Sequence, residues 1–181
     1  MKPGFMTGYL ESRGNITFTE AALQGYDTLV MAFGTIDGAN VGINNGAFNP
    51  SPTPEKLIAD IKNAKKQGAK NILFSVGGGE INTYNPGNTP PADVARSLVS
   101  FLWEYGFTGI DFELEINCDA DYLNRLCREI KKCDSNLMLT AAPQINQSEH
   151  GGDLFLVAGT SHRVYDLAIE NRQFDRLFIQ A

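Results

Sequence analysis

The chain has 181 residues, 43% of them hydrophobic and 20% charged, with a formal net charge of −6. That composition suffices for one packed domain and excludes a disordered chain. An acidic balance without a Lys/Arg block argues against a nucleic-acid partner, which is gripped through clustered basic charge.

The first fourteen residues, MKPGFMTGYLESRG, hold no apolar run of the kind a secretory signal needs. A leader already removed would leave the same pattern, so secretion by a route not visible here stays compatible with it. No apolar run long enough to span a bilayer occurs, so no membrane association is expected. The three cysteines, Cys118, Cys127 and Cys133, are odd in number and lack paired spacing. A disulfide framework and a zinc site are both disfavoured. His150 and His162 have no His or Cys at ligand spacing and read as surface or structural residues, so no metal is expected.

Strand and helix signals then alternate along the chain. The first strand is predicted at Gly4–Leu10 and contains Tyr9; the second, Thr28–Phe33, ends on an aromatic. A loop rich in Gly, Asn and Pro follows at Asp37–Pro54. The first helix is predicted at Pro54–Gln67, with Thr53 as N-cap, Gly68 as the stop, and Leu57, Ile58, Ile61 and Ala64 on one face. The third strand, Asn71–Val76, runs into the glycines of NILFSVGGG (Asn71–Gly79). Glycines at a strand end let a ligand or another backbone approach closely. The run is neither GxGxxG nor followed by GK[ST], which weakens a nucleotide site.

A second loop, Asn82–Pro91, leads to a helix at Ala92–Tyr105, with Val94, Leu98, Phe101 and Leu102 inward and Gly106 ending it. Trp103 in this helix reads as core. The fourth strand is Gly109–Leu114. A helix at Ala120–Lys132 follows, apolar along Leu123, Leu126, Cys127 and Ile130, its basic end complementing the helix dipole. The fifth strand is Leu137–Ala142. A weaker helix around Leu154–Glu170, interrupted by Gly159, precedes a sixth strand at Leu177–Gln180.

Alternating strands and helices mean βαβ units and a parallel sheet. Strand centres recur roughly every 25–45 residues, the scale of a βα unit with loop insertions. The fold class is α/β, a TIM-type (β/α)8 barrel of which about the first five and a half βα units are present. A closed barrel needs eight strands and about 250 residues. Residues 1–181 are therefore expected to form the N-terminal portion of a longer catalytic domain, the C-terminal strands being absent. An open doubly wound sheet is the alternative.

The segment GFTGIDFELE (Gly106–Glu115) carries the strongest chemical signal. Asp111, Glu113 and Glu115 alternate along a strand and share one face; Ile110, Phe112 and Leu114 take the other. The apolar strands on either side make this a central strand. Three carboxylates so close cannot all stay ionised, so at least one pKa should rise, which is how an acid stays protonated near neutrality.

These segments resemble glycoside hydrolase family 18, the chitinases and their relatives. The family's SxGG is matched by Ser75, Gly77 and Gly78, its DGxDxDxE by Thr108 to Glu115, and LTAAPQ (Leu139–Gln144) is similar to the fifth strand of one branch. FIQA (Phe178–Ala181) resembles the family's sixth strand. The resemblance implies Glu115 as general acid in a retaining reaction, with the substrate's own N-acetyl group as nucleophile. It implies that Glu113 orients the acetamide and that Asp111 pairs with Glu113 and tunes it. Ser75 and Tyr9 would hydrogen-bond the inner carboxylate, and Phe33 would lie near the sugar. Gly77 and Gly78 would shape the strand end, and Gln144 and Gln180 would contact substrate. Tyr84 and Trp103 are candidate sugar platforms, with core packing the favoured role for Trp103. The pattern departs from the family at Thr108 and, nearer the chemistry, at Glu113, where an Asp is usual. The extra methylene moves the carboxylate by over about 1 Å, a displacement that can cost about a hundredfold in rate.

The expected activity is hydrolysis of β-1,4 bonds in chitin or N-acetylglucosamine oligosaccharides, with no cofactor, since carboxylate chemistry on sugars needs none. The alternatives are a chitinase-like lectin with weakened catalysis and an endo-β-N-acetylglucosaminidase. A fourth reading is an unrelated doubly wound protein holding a phosphorylated ligand at Gly77–Gly79.

Overall fold

The computed structural model describes residues 5–11, 15–43, 52–79, 81–147, 154–159 and 161–180. The first strand, β1 (Thr7–Glu11), leads to a short helix, α1 (Phe18–Leu23), and then to β2 (Thr28–Ala32). All five residues of β2 are buried, as expected for a strand covered on both faces. A capping box between Thr17 and Glu20 opens α1, and the Asp60 carboxylate accepts from the backbone N–H groups of Phe18 and Thr19. That helix was not among those predicted; six residues are too few to show a helical period.

The loop predicted at 37–54 begins inside structure. The strands β3 (Gly34–Asp37) and β4 (Asn40–Ile43) form an antiparallel hairpin after β2. Helix α2 (Pro54–Lys66) follows, with the Thr53 hydroxyl accepting from the Lys56 N–H and Leu57, Ile61 and Ala64 buried. Strand β5 (Asn71–Gly78) runs two residues beyond the prediction, through the first two glycines. A two-residue strand, β6 (Tyr84–Asn85), pairs with β3. Helix α3 (Pro91–Tyr105) ends at Gly106, whose left-handed φ of 85° is readily adopted by glycine.

Strand β7 (Gly109–Leu114) has the predicted bounds, and α4 (Ala120–Cys133) extends one residue past its prediction. Then come β8 (Met138–Ala141), the antiparallel pair β9 (Gln144–Gln147) and β10 (Leu154–Val157), helix α5 (Asp166–Glu170) and β11 (Arg176–Leu177). The predicted helix over 154–170 is corrected. Its start is a strand, because LFLV is a short apolar run that pairs with β9, and only its last turn is helical. The sixth barrel strand begins at Arg176 and ends regular pairing at Leu177, with Gln180 bridged to Gln144.

The main sheet has the order β1-β2-β5-β7-β8-β11, with parallel pairing throughout. Strand order follows chain order without a reversal. A doubly wound sheet reverses direction at a switch point, whereas a barrel wall does not. The sheet is a parallel half-barrel with helices packed outside. Ile110, Phe112 and Leu114 point into the helical layer, where Phe112 meets Tyr84 and Phe174 edge-on. Among the described residues no helix is long and apolar enough to cross a membrane.

Trp103 is corrected. It is 59% exposed, and its indole N–H donates to the Asp134 carboxylate at 3.0 Å. Leu98 and Leu102 set the buried face of α3, and a residue one step beyond Leu102 is rotated about 100° from it. Cys127 is buried and Cys133 exposed, so only Cys118 is semi-buried. His162 bridges Ala158 through its backbone; His150 lies outside the described residues.

Candidate active site at the end of the fourth barrel strand

The inner face of β7 begins with Asp111, which is fully buried. In register, Asp111 stands opposite Ser75 on β5 and Thr140 on β8. A small hydroxyl on either flank therefore reaches it. Ser75 Oγ donates to Oδ2 at 2.8 Å and Thr140 Oγ1 to Oδ1 at 2.6 Å. From the far side of the half-barrel Tyr9 Oη donates to Oδ2 at 3.1 Å. No cation takes part in these contacts. Burial raises the Asp111 carboxyl above its ordinary value, and the hydroxyls of Thr140, Ser75 and Tyr9 pull it partly back. Desolvation, not repulsion within the acidic run, is the leading cause of the shift. Burial, aided by Asp111, likewise raises the Tyr9 phenol, which stays a neutral donor.

A raised aspartate binds its proton more tightly folded than unfolded. Its contribution to stability is full below the ordinary value of 3.8 and is lost as pH climbs through the raised one. The stability of the native chain relative to Asp111→Asn is therefore expected to fall as pH rises from about 4 towards neutrality. Urea unfolding at a series of pH values reads this difference. A relative gain with pH would mean that the three hydroxyls outweigh burial.

Glu113 and Glu115 follow on the same face, both half-buried. Glu113 stands opposite Gly77. A Cβ on Gly77 would run into the Glu113 carbonyl, and its φ of 128° is one that L side chains rarely adopt. Gly77→Ala is expected to cost about 2–4 kcal/mol of stability, read as a lowered urea midpoint. An unchanged midpoint would show slack between the strands that this packing does not contain.

Gly78 lets the Phe33 ring approach, its missing Cβ lying 3.2 Å from that ring. Glu115 sits just past β7. A Cβ on Gly79 would strike its carboxylate, and one on Gly159 its backbone carbonyl. Two glycines from different loops therefore make room for Glu115.

Tyr9, Ser75 and Asp111 are thus joined directly, Phe33 and Gly78 are packed together, and Gly77 pairs with Glu113. Gln144 and Gln180 are joined to each other, beyond the ends of β8 and β11. The Gln180 side-chain amide donates to the Ala142 carbonyl at 2.8 Å. Tyr84 is corrected as a sugar platform: only 4% of it is exposed, and its ring packs on Phe112. Thr108 ties β7 to β5 through bonds with the Ile72 backbone, at the strand end away from the acidic run.

Three positions escaped the sequence reading: Thr140, Thr83 and Tyr165. The Thr83 hydroxyl accepts from the Gly77 N–H, and its own N–H donates to the Gly77 carbonyl, fastening the end of β5. Tyr165 is fully buried. Its hydroxyl accepts from the Leu114 N–H at 2.6 Å and lies 3.1 and 3.0 Å from the Phe112 and Leu114 carbonyls. It clamps the segment that carries Glu113 and Glu115. Period-two alternation in LTAAPQ could have singled out Thr140; nothing local announces Tyr165. Among the described residues no cluster of three or more His, Cys, Asp or Glu could hold a metal ion.

The family model of glycosyl hydrolases family 18 matches residues 4–181. Among curated proteins none matches significantly. Solved structures similar to the chain include a family GH18 chitinase from Chromobacterium violaceum, at 22% identity and a TM-score of 0.71, covering 97% of this chain and 49% of that one. Active domain 2 of a chitinase from Pyrococcus furiosus superposes at 0.69 with 18% identity, covering 97% and 56%. A variant of a GH18 chitinase from Cycas revoluta, solved with (GlcNAc)4, superposes at 0.68 with 15% identity, covering 98% and 55%. The chain spans about half the length of these solved proteins.

Proposed function

Because the chain belongs to glycosyl hydrolases family 18, we propose that residues 1–181 are the N-terminal portion of a catalytic domain that hydrolyses β-1,4 bonds between N-acetylglucosamine units. The observation that carries this reading is the ladder Asp111–Glu113–Glu115 on one strand face. Its inner member is buried, which raises its carboxyl, and its outer member lies just past the end of β7.

In this reading Glu115 gives its proton to the glycosidic oxygen as the bond from that oxygen to the anomeric carbon breaks. The substrate's acetamide oxygen attacks that carbon and forms an oxazolinium ring. Water then opens the ring and returns a proton to the Glu115 carboxylate, so the anomeric configuration is retained. Glu113 orients the acetamide, and Asp111, held by Tyr9, Ser75 and Thr140, supports Glu113 from beneath. Phe33, Gly77, Gly78, Gln144 and Gln180 contribute substrate contacts. The solved neighbour holding (GlcNAc)4 supports this substrate class.

The test is release of fluorophore from labelled chitobiose and chitotriose by the chain. Turnover would support the reading. Its absence, with calorimetric binding of chitotetraose, would favour a chitin-binding protein of weakened catalysis, which Glu113 in the usual Asp position favours.

A further inference from the structure

We propose that Tyr165, far from the acidic run in sequence, is a positioning residue for Glu115 and acts through the Leu114 peptide. This rests on the proposed function, in which Glu115 is the acid, and names what aims it.

Strand β7 has unequal neighbours at its end. On one side β5 continues to the last pair, Gly78 opposite Leu114. On the other, β8 stops with Ala141 opposite Phe112, and the Ala142 N–H makes a final bond to the Phe112 carbonyl. Along a strand, alternate residues turn their N–H and C=O groups to the same neighbour. Leu114 therefore faces the side that β8 has left, whereas Glu113 faces Gly77 on β5. The Ala142 carbonyl, next in line for the Leu114 N–H, instead accepts from the Gln180 side-chain amide at 2.8 Å.

The Tyr165 hydroxyl takes the place of the missing strand. It accepts from the Leu114 N–H at 2.6 Å, and its own proton is within reach of the Leu114 and Phe112 carbonyls, at 3.0 and 3.1 Å. Burial raises the phenol well above its ordinary value, so that proton stays on the oxygen. The ring is fixed as well: it packs edge-on against Phe174, which meets Phe112 in the same layer.

Glu115 lies one residue beyond the last pair of β7. The Leu114 carbonyl belongs to the peptide that joins Glu115, so a hydroxyl bonded there fixes the plane from which Glu115 departs. A second contact comes from the same segment. A Cβ on Gly159 would strike the Glu115 carbonyl, and paired backbone bonds between Ala158 and His162 close the turn that carries Gly159. Glu113 is held from β5; Glu115 is held from the stretch between β10 and α5.

The test compares kcat/KM for chitotetraose and for a dinitrophenyl chitobioside, a ratio that reports the first bond-breaking step. A sugar hydroxyl needs the proton of the acid to leave, whereas dinitrophenolate departs without one. Tyr165→Phe is expected to lower kcat/KM for chitotetraose about tenfold to a hundredfold, and for the aryl substrate less than about twofold. In the ligand-free chain it should also speed amide exchange at Leu114 and move the Glu115 carboxyl carbon signal, with that of Asp111 unmoved. Gly159→Ala, which presses on Glu115 from the same segment, should show the same split between substrates, and it carries the test if Tyr165→Phe does not fold. Equal losses on the two substrates would overturn the proposal and leave the proposed function standing; so would an unchanged Leu114 exchange rate in a variant of a chain that turns over. Turnover of neither substrate by the native chain, with the Leu114 and Glu115 signals still responding to Tyr165→Phe, would uphold Tyr165 as the residue that holds Glu115 and overturn the catalytic reading.

Discussion

Glu115→Gln is expected to lower release of fluorophore from labelled chitobiose by about 10²–10⁴-fold, the usual contribution of a positioned general acid. Glutamine keeps the shape of the side chain and loses the transferable proton. Sugar binding should therefore persist, and calorimetric titration with chitotetraose should give an affinity close to that of the native chain. The position is specific because its surroundings are. Gly79 leaves space for the carboxylate, Gly159 for the backbone carbonyl, and Tyr165 holds the strand immediately before it. A general fold defect would reduce binding and turnover together; loss of the acid alone separates them. Equal turnover in the variant and the native chain would remove Glu115 from the role of acid.

Glu113→Asp is expected to act in the other direction, raising kcat by about tenfold to a hundredfold. The strand beneath Glu113 has little freedom to absorb an extra methylene. Its carbonyl meets the backbone of Gly77 where no Cβ fits, and the next residue, Leu114, is held at its N–H by Tyr165. The added length of Glu113 is therefore carried forward into the position of its carboxylate. Shortening the side chain should draw that carboxylate back by over about 1 Å, a distance on which positioned catalysis depends strongly. A gain in kcat with little change in KM would match a group that acts in the transition state. A loss of rate would mean that the surrounding site is fitted to glutamate.

Much of the fold was legible because its periods are local. Strand β7 and helices α2, α3 and α4 fall within a residue or so of prediction, since each carries a full alternation or several helical turns between clear stops. The short elements were not legible. Six residues of α1, the β3–β4 hairpin and the β9–β10 pair offer too few positions to separate one period from another. Trp103 was misjudged for a related reason: a large apolar side chain suggested core, but one step along a helix turns it to solvent.

The sequence by itself determined that Asp111, Glu113 and Glu115 share a face, because alternation is a property of the strand backbone. It also marked the glycine run, since glycines at a strand end admit close approach of a ligand or another backbone. Tertiary structure alone decided what meets those residues. Tyr9 lies 102 positions from Asp111, and Tyr165 lies 51 from Leu114. Such contacts are set by how strands and helices pack across the half-barrel, which no pattern within a single segment encodes. The environment that raises the Asp111 carboxyl arises from that packing.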